Sequence, residues 1–220
     1  ACRDQEVSRL IHTSTSEVYG TARTTPMTES HPLQAQSPYS ATKVAADKLV
    51  ESYHLSYGLP TVILRPFNTY GPRQTLRAII PTIIAQALDE SCESIRLGAL
   101  DPVRDFTYVT DTAEAFRLLE EAPLEKVAGN TYNLGVGKGL SMGNLTQMIL
   151  DILEIKKPVE SVEERQRPES SEVRTLISDN RLIRSQTDWK TKVSLEEGLR
   201  LTAEYLRGKL GELRPGDYRQ

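Results

Sequence analysis

The order strand, helix, strand at the start of this chain constrains its fold more than any other feature. Val7–Thr13 and Thr61–Pro66 are short runs of β-branched and apolar residues of the kind that form buried strands. The segment between them enters a helix at Ser37-Pro38 and leaves it near Tyr57, before Gly58 and Pro60. Residues 21–38, with Pro26, Pro32 and Pro38 among polar residues, read as a surface loop. Two strands joined by a crossover helix of this kind make an α/β parallel sheet.

The alternation continues down the chain. Phe67–Arg73 reads as a loop by its Gly71-Pro72 dipeptide, and Ala78–Leu88 as a helix with Pro81 in its first turn. Ser94–Leu97 and Arg104–Val109 read as strands, and Asp111 as the N-cap of a helix through Glu121. A strand follows at Asn130–Leu134, and Ser141 starts a helix to about Leu153. The charged segment Lys156–Ser171 reads as a loop with room for a strand at Val159–Val162. Asp179 reads as the cap of a short helix, and the capping box Ser194-Leu195-Glu196-Glu197 opens a last helix to Leu210. Residues 1–73 and 104–122 are expected to form one α/β lobe. Residues 74–103 and 123–211 form a smaller one, and 212–220 a polar tail.

Chemistry concentrates at three places. Thr13-Ser14-Thr15-Ser16-Glu17 and Phe67–Arg73 both follow strands, at the edge where open α/β sheets bind ligands. The helix between them carries Tyr39 and Lys43, four residues apart and so on one face. A phenol beside an ammonium is an acid/base device, because the positive charge stabilises phenolate. A solvated amphipathic pair has the same spacing; the convergence of the three segments on one edge favours the catalytic reading.

Composition excludes several other classes. The net charge is −3 over 220 residues, which argues against nucleic acid or an anionic membrane as the main partner. No apolar run approaches the ~18 residues of a membrane span. Cys2 and Cys92 read as free thiols of a reducing compartment, with a single disulfide as the alternative, and His12, His31 and His54 show no metal spacing. The expected location is the cytoplasm.

Four ordered motifs then carry a resemblance. They are the Ser/Thr-rich strand end, Tyr39-Ser40-Ala41-Thr42-Lys43, Arg65-Pro66-Phe67-Asn68-Thr69-Tyr70-Gly71-Pro72, and Arg104-Asp105-Phe106-Thr107-Tyr108-Val109-Thr110-Asp111. Together they resemble the extended short-chain dehydrogenase/reductase family of nucleotide-sugar epimerases, dehydratases and decarboxylases. The wording from His12 to Gly20, and around Tyr39 and Asn68, is most similar to 4,6-dehydratases of nucleotide-linked N-acetylglucosamine in legionaminic-acid-type pathways.

The resemblance implies that the first lobe is the remainder of an NAD-binding Rossmann-like domain and the second a substrate-binding lobe. It implies NAD as cofactor and a nucleotide-diphosphate sugar as substrate. Tyr39 would take the sugar 4-OH proton and Lys43 would bind the nicotinamide ribose, while Thr15 would hydrogen-bond the C4 oxygen. Glu17 would remove the C5 proton and Ser16 would help water leave from C6. Thr13, Ser14 and Pro66 would line the cofactor. Asn68 would lie between cofactor and sugar-phosphate, with Arg73, Arg104 and Arg167 on the substrate and Arg77 a weaker candidate. A homodimer through the Tyr39 helix and the 78–88 helix is implied in the same way.

Glu17 separates the dehydratases from simple 4-epimerases, which need no base at C5. It also reads as a surface carboxylate. Arg104 likewise reads as an ion-pair partner of Asp105 or Asp111, and Arg167 as a solvated loop charge. A 4-epimerase, a uronate decarboxylase and a non-catalytic fragment are the alternative functions. No G-x-x-G-x-x-G occurs in the 220 residues, and Gly135–Gly139 lies too late to be that fingerprint. The expectation is therefore a C-terminal two-thirds that lacks most of the cofactor site, roughly three units of about 30 residues.

Overall fold

Leu10–Thr13 (β1) and Thr61–Pro66 (β2) pair in parallel, Leu10 opposite Thr61 and Thr13 opposite Leu64, with the helix Pro38–Tyr57 (α1) as their crossover. This is a computed structural model, and it describes residues 1–166 and 168–209. The helix is fixed at both ends by local chemistry. Ser37 and Ser40 cap reciprocally, each side chain receiving the other's backbone N–H, and Gly58 ends the helix at φ +66°. The first strand begins three residues later than expected, where the Leu10 N–H bonds the Pro60 carbonyl at 2.9 Å.

The remaining elements are β3 (Asn68–Tyr70), α2 (Ile79–Leu88), β4 (Ile95–Leu97), β5 (Val103–Tyr108), α3 (Val109–Glu121), α4 (Leu124–Val127), β6 (Thr131–Leu134), β7 (Gly139–Ser141), α5 (Met142–Leu153), β8 (Val159–Ser161), β9 (Thr175–Leu176), α6 (Arg181–Gln186) and α7 (Leu195–Arg207). Among the described residues the strands form three sheets, in the orders β1-β2-β6, β3-β5-β7 with β9 also on β5, and β4-β8. The first is wholly parallel and carries the α/β architecture expected.

Several boundaries differ from expectation. β6, expected in the smaller lobe, pairs with β2 and extends the first sheet, because Tyr132 and Leu134 pack with Val62, Leu64 and Trp189 in one core. β5 does not return to that sheet; it pairs with β3, and the return comes only at α3, whose Ala115 and Leu119 join the same core. Asn68–Tyr70 is a strand, since the Gly71-Pro72 turn signal lies after it. Asp111 is not a cap: α3 starts at Val109, and the Asp111 carboxylate accepts the N–H groups of Lys192 and Val193 at 3.0 and 3.1 Å. Asn180 holds the cap position of α6, and Asp179 accepts the N–H of Arg181 at 3.0 Å. The last helix ends at Arg207; Leu210, Arg167 and the tail 212–220 lie outside the described residues.

The second core packs α2, α5 and α7 against the β3-β5-β7 sheet. Every residue from Ile80 to Ala87 is buried there, so the 78–88 helix has no free face for a dimer partner. α1 does leave Leu49, Leu55 and Tyr57 exposed.

Gly198 on α7 is where this packing is tightest. A Cβ there would stand 2.2 Å from the Tyr70 hydroxyl and 2.8 Å from the Tyr108 ring. Gly198→Ala is expected to destabilise by about 1–3 kcal/mol through overpacking, despite gaining up to about 1 kcal/mol of helix propensity. Urea unfolding measures the sign; a stabilised variant contradicts the packing.

Candidate active site

The carboxyl ends of β1 and β2 are joined by the Ser14 N–H, which donates to the Leu64 carbonyl at 2.8 Å. The chain then turns through a 3₁₀ segment, Ser16–Tyr19, capped by Thr15, whose hydroxyl oxygen accepts the Glu17 N–H at 3.2 Å. That bond uses a lone pair of the oxygen and leaves the Thr15 O–H available as a donor. α1 packs on this turn and on β2. Its Lys43 Nζ donates to the Thr13 carbonyl at 3.0 Å, anchoring the ammonium at the end of β1, while the Tyr39 side chain is 54 % exposed.

Next to the turn lies a cavity of about 310 Å³. Of the residues singled out in the sequence, Glu17, Asn68, Arg77 and Arg104 line it. Thr13, Ser14, Thr15, Ser16, Tyr39, Lys43, Pro66 and Arg73 are not among its lining residues. Ser14 and Ser16 are buried, and Arg73 is exposed with φ +68°. Two charged residues that sequence reasoning passed over, Arg165 and Glu172, also line the cavity. Arg165 sits in a second 3₁₀ turn and donates to the Arg96 carbonyl at 2.8 Å; its backbone oxygen would be 2.3 Å from a Cβ on Gly98, so only glycine lets the turn come this close.

Arg104 is buried, and among the described residues it forms its ion pair with Glu172, at 3.6 Å, rather than with Asp105 or Asp111. Asp105 faces the other way. It accepts the N–H groups of Val136, Gly137 and Ser178 at 2.8, 2.8 and 3.1 Å, so the Gly-rich loop closes on the protein's own carboxylate. Burial pushes the Asp105 carboxyl up to about 6, against the opposing pull of those three donors.

Behind the turn is a buried ionic network that the sequence did not announce. Asp47 on α1 receives Nε and Nη2 of Arg65 on β2, both at 2.9 Å. Burial acts to raise the Asp47 carboxyl, but His12, Ser14 and the Arg65 guanidinium outweigh it and hold the group below the ordinary carboxylate range. Asp47 is i+4 from Lys43, so the spacing was visible; its buried partner was not.

With this geometry in hand, the chain can be compared with known proteins. A family model described as GDP-mannose 4,6 dehydratase matches residues 1–202. The chain belongs to that family. It is 34% identical over 209 residues to the low-salt glycan biosynthesis protein Agl12 of Haloferax volcanii, covering 94% of this chain and 64% of that protein. Its fold matches DesIV, a dTDP-glucose 4,6-dehydratase from Streptomyces venezuelae crystallised with NAD and TYD. The TM-score is 0.86 at 30% identity, over 97% of this chain and 64% of that one. A UDP-glucuronic acid 4-epimerase from Bacillus cereus, in complex with UDP-glucuronic acid and NAD, matches at a TM-score of 0.86 and 26% identity, over 94% of this chain and 64% of that one. The chain thus spans less than two thirds of the length of these relatives. Family membership bears out the resemblance carried by the four motifs and the α/β, Rossmann-like class.

Proposed function

We propose that this chain carries the proton-transfer and substrate-binding residues of an NAD-dependent nucleotide-sugar 4,6-dehydratase, acting on a nucleotide-linked N-acetylglucosamine. The observation that carries the reading is Glu17: a carboxylate at the end of β1 that lines the same cavity as Asn68, Arg104 and Arg165. Three guanidinium groups, counting Arg77, suit a diphosphate; Glu172 is taken up by its ion pair with Arg104, and Glu17 is the lining carboxylate at the strand end that is placed to remove a proton. That use separates the dehydratase from a 4-epimerase.

In this reading Tyr39 accepts the proton of the sugar 4-hydroxyl, and Thr15 donates its O–H to the same oxygen. Glu17 removes the C5 proton, and Ser16 assists departure of water from C6. The donors at the end of β1 fit the nicotinamide-ribose half of NAD: an exposed phenol, an exposed Thr13 hydroxyl, and a Lys43 ammonium with two N–H bonds beyond the one given to Thr13. NAD, when bound, supplies reversible hydride acceptance. Lys43 then holds the ribose beside the Tyr39 hydroxyl.

The test is to incubate the full-length protein with UDP-, GDP- and dTDP-linked glucose and N-acetylglucosamine and follow the 4-keto-6-deoxy product by its absorbance at alkaline pH. Conversion of an N-acetylglucosamine derivative is expected; recovery of only the 4-epimer would replace this reading. Arg165→Ala is expected to raise KM about 10- to 100-fold with little change in kcat, the loss of a charged hydrogen bond made in ground and transition state alike. An unchanged KM would remove Arg165 from the substrate site.

A further inference from the structure

The two halves of this site come from separate elements, and one buried guanidinium ties them together. Glu17 sits on the 3₁₀ turn after β1, whereas Tyr39 and Lys43 sit on α1. Arg65, on the central strand β2 and buried, donates in both directions. Its Nε and Nη2 reach Asp47, one helical turn beyond Lys43, and its Nη1 reaches the Tyr19 hydroxyl at 2.8 Å, two residues beyond Glu17. The same guanidinium lies 4.9 Å from the centre of the Tyr19 ring.

The chain of bonds continues. The Tyr19 hydroxyl donates to Asn133 Oδ1 on β6 at 2.7 Å, and Asn133 Nδ2 donates to the Met27 carbonyl at 2.9 Å. The Asn133 N–H in turn donates to Glu29 at 2.9 Å. All four members of the central relay, Asp47, Arg65, Tyr19 and Asn133, are buried, none more than 5 % exposed. Replacing a whole buried ion pair by hydrophobic side chains of similar size is often neutral in stability, so the presence of an ionic relay here points to geometry rather than to adhesion. Hydrogen bonds fix direction and distance, which packing alone does not.

We propose that Arg65, with Asp47 and Tyr19, is a positioning device that sets the Glu17 turn in register with the Tyr39/Lys43 helix. This rests on the dehydratase reading, in which one sugar ring must meet both Tyr39 and Glu17. None of the three touches substrate. They act through the residues one turn or two positions away, and a loosened relay leaves both halves intact but out of register. Proton removal at C5 needs its base within hydrogen-bond reach, so a shift of about 1 Å is costly to kcat while barely touching nucleotide binding.

Tyr19→Phe tests this in the full-length protein. It keeps the ring, which stands edge-on to His31 at 5.6 Å, and removes only the hydroxyl that links Arg65 to Asn133. Three results are expected: kcat down at least tenfold with KM within twofold, slower solvent-deuterium incorporation at C5, and faster amide hydrogen exchange in Ser16–Tyr19 while α1 keeps its protection. An unchanged kcat overturns the proposal. So does a joint loss of KM, kcat and protection across α1 and β2, which marks a merely structural role. If Tyr19→Phe does not fold, Arg65→Lys reads the same quantities, since lysine keeps the charge at Asp47 and cannot also reach Tyr19. The amide-exchange measurement needs no substrate. A wild-type protein inactive on every nucleotide sugar therefore sinks the dehydratase reading, while exchange in the turn still judges the relay.

Discussion

Glu17→Gln is expected to lower kcat by at least 10²- to 10⁴-fold, the usual contribution of a general base, while leaving the fold and nucleotide-sugar binding intact. The fold should survive because glutamine matches glutamate in shape and the interaction that shapes the turn is the Glu17 backbone N–H on Thr15, which the substitution keeps. Binding should survive because the diphosphate is assigned to Arg104 and Arg165. Product formation by alkaline absorbance, set beside calorimetric binding of the nucleotide sugar, separates the two. A fully active glutamine variant would show that another group takes the C5 proton. Tyr39→Phe makes the companion variant: the exposed ring loses only its hydroxyl, no cavity opens, and activity is expected to vanish with little change in unfolding.

Asp47→Ala is expected to cost about 3–5 kcal/mol, the penalty for leaving one member of a buried pair without its partner. Arg65, 5 % exposed in the structure, would lose its counter-charge and keep its bond to Tyr19. Against a typical total of about 5–15 kcal/mol this is a large fraction, and it should appear as a displaced urea midpoint. The pH dependence has a definite sign. The folded Asp47 carboxyl titrates below its unfolded value of about 3.9, so its stabilisation is fully present above that value and fades as pH falls through the folded one. The gap between wild type and Asp47→Ala should hold constant near neutrality and narrow below about pH 4. A gap that widens in acid would mean Asp47 does not bear the charge assigned to it.

The candidate site was partly legible because its signals are local. Tyr39 and Lys43 share a helix bounded by Ser37 and Gly58, and the Thr15-to-Glu17 cluster closes a strand; both statements need only neighbours in the chain. Arg104, singled out in the sequence, does line the cavity, yet Glu172, with which it forms an ion pair, lies 68 residues away by number, whereas the carboxylates considered were its sequence neighbours. Among the described residues of the charged loop after Lys157, Arg165 lines the cavity, and no periodicity in that loop marks it for the role. The fold divides in the same way. Helix α2 was evident from its apolar run, but that run gave no warning that it would be enclosed by α5 and α7 and so closed to a dimer partner.

The amino-acid sequence by itself determined the βαβ start, both ends of α1 and the four ordered motifs that mark the GDP-mannose 4,6 dehydratase family. These are set by caps, turns and side-chain spacing that act over a few residues. The tertiary structure alone decided that β6 joins β2, that Asp105 holds the 136–137 amides, and that Tyr19 meets Asn133 across 114 positions of chain. The physical reason is one of range. A buried strand or charge is satisfied by whichever partner folding brings within about 3 Å, and no short-range pattern encodes which one that will be.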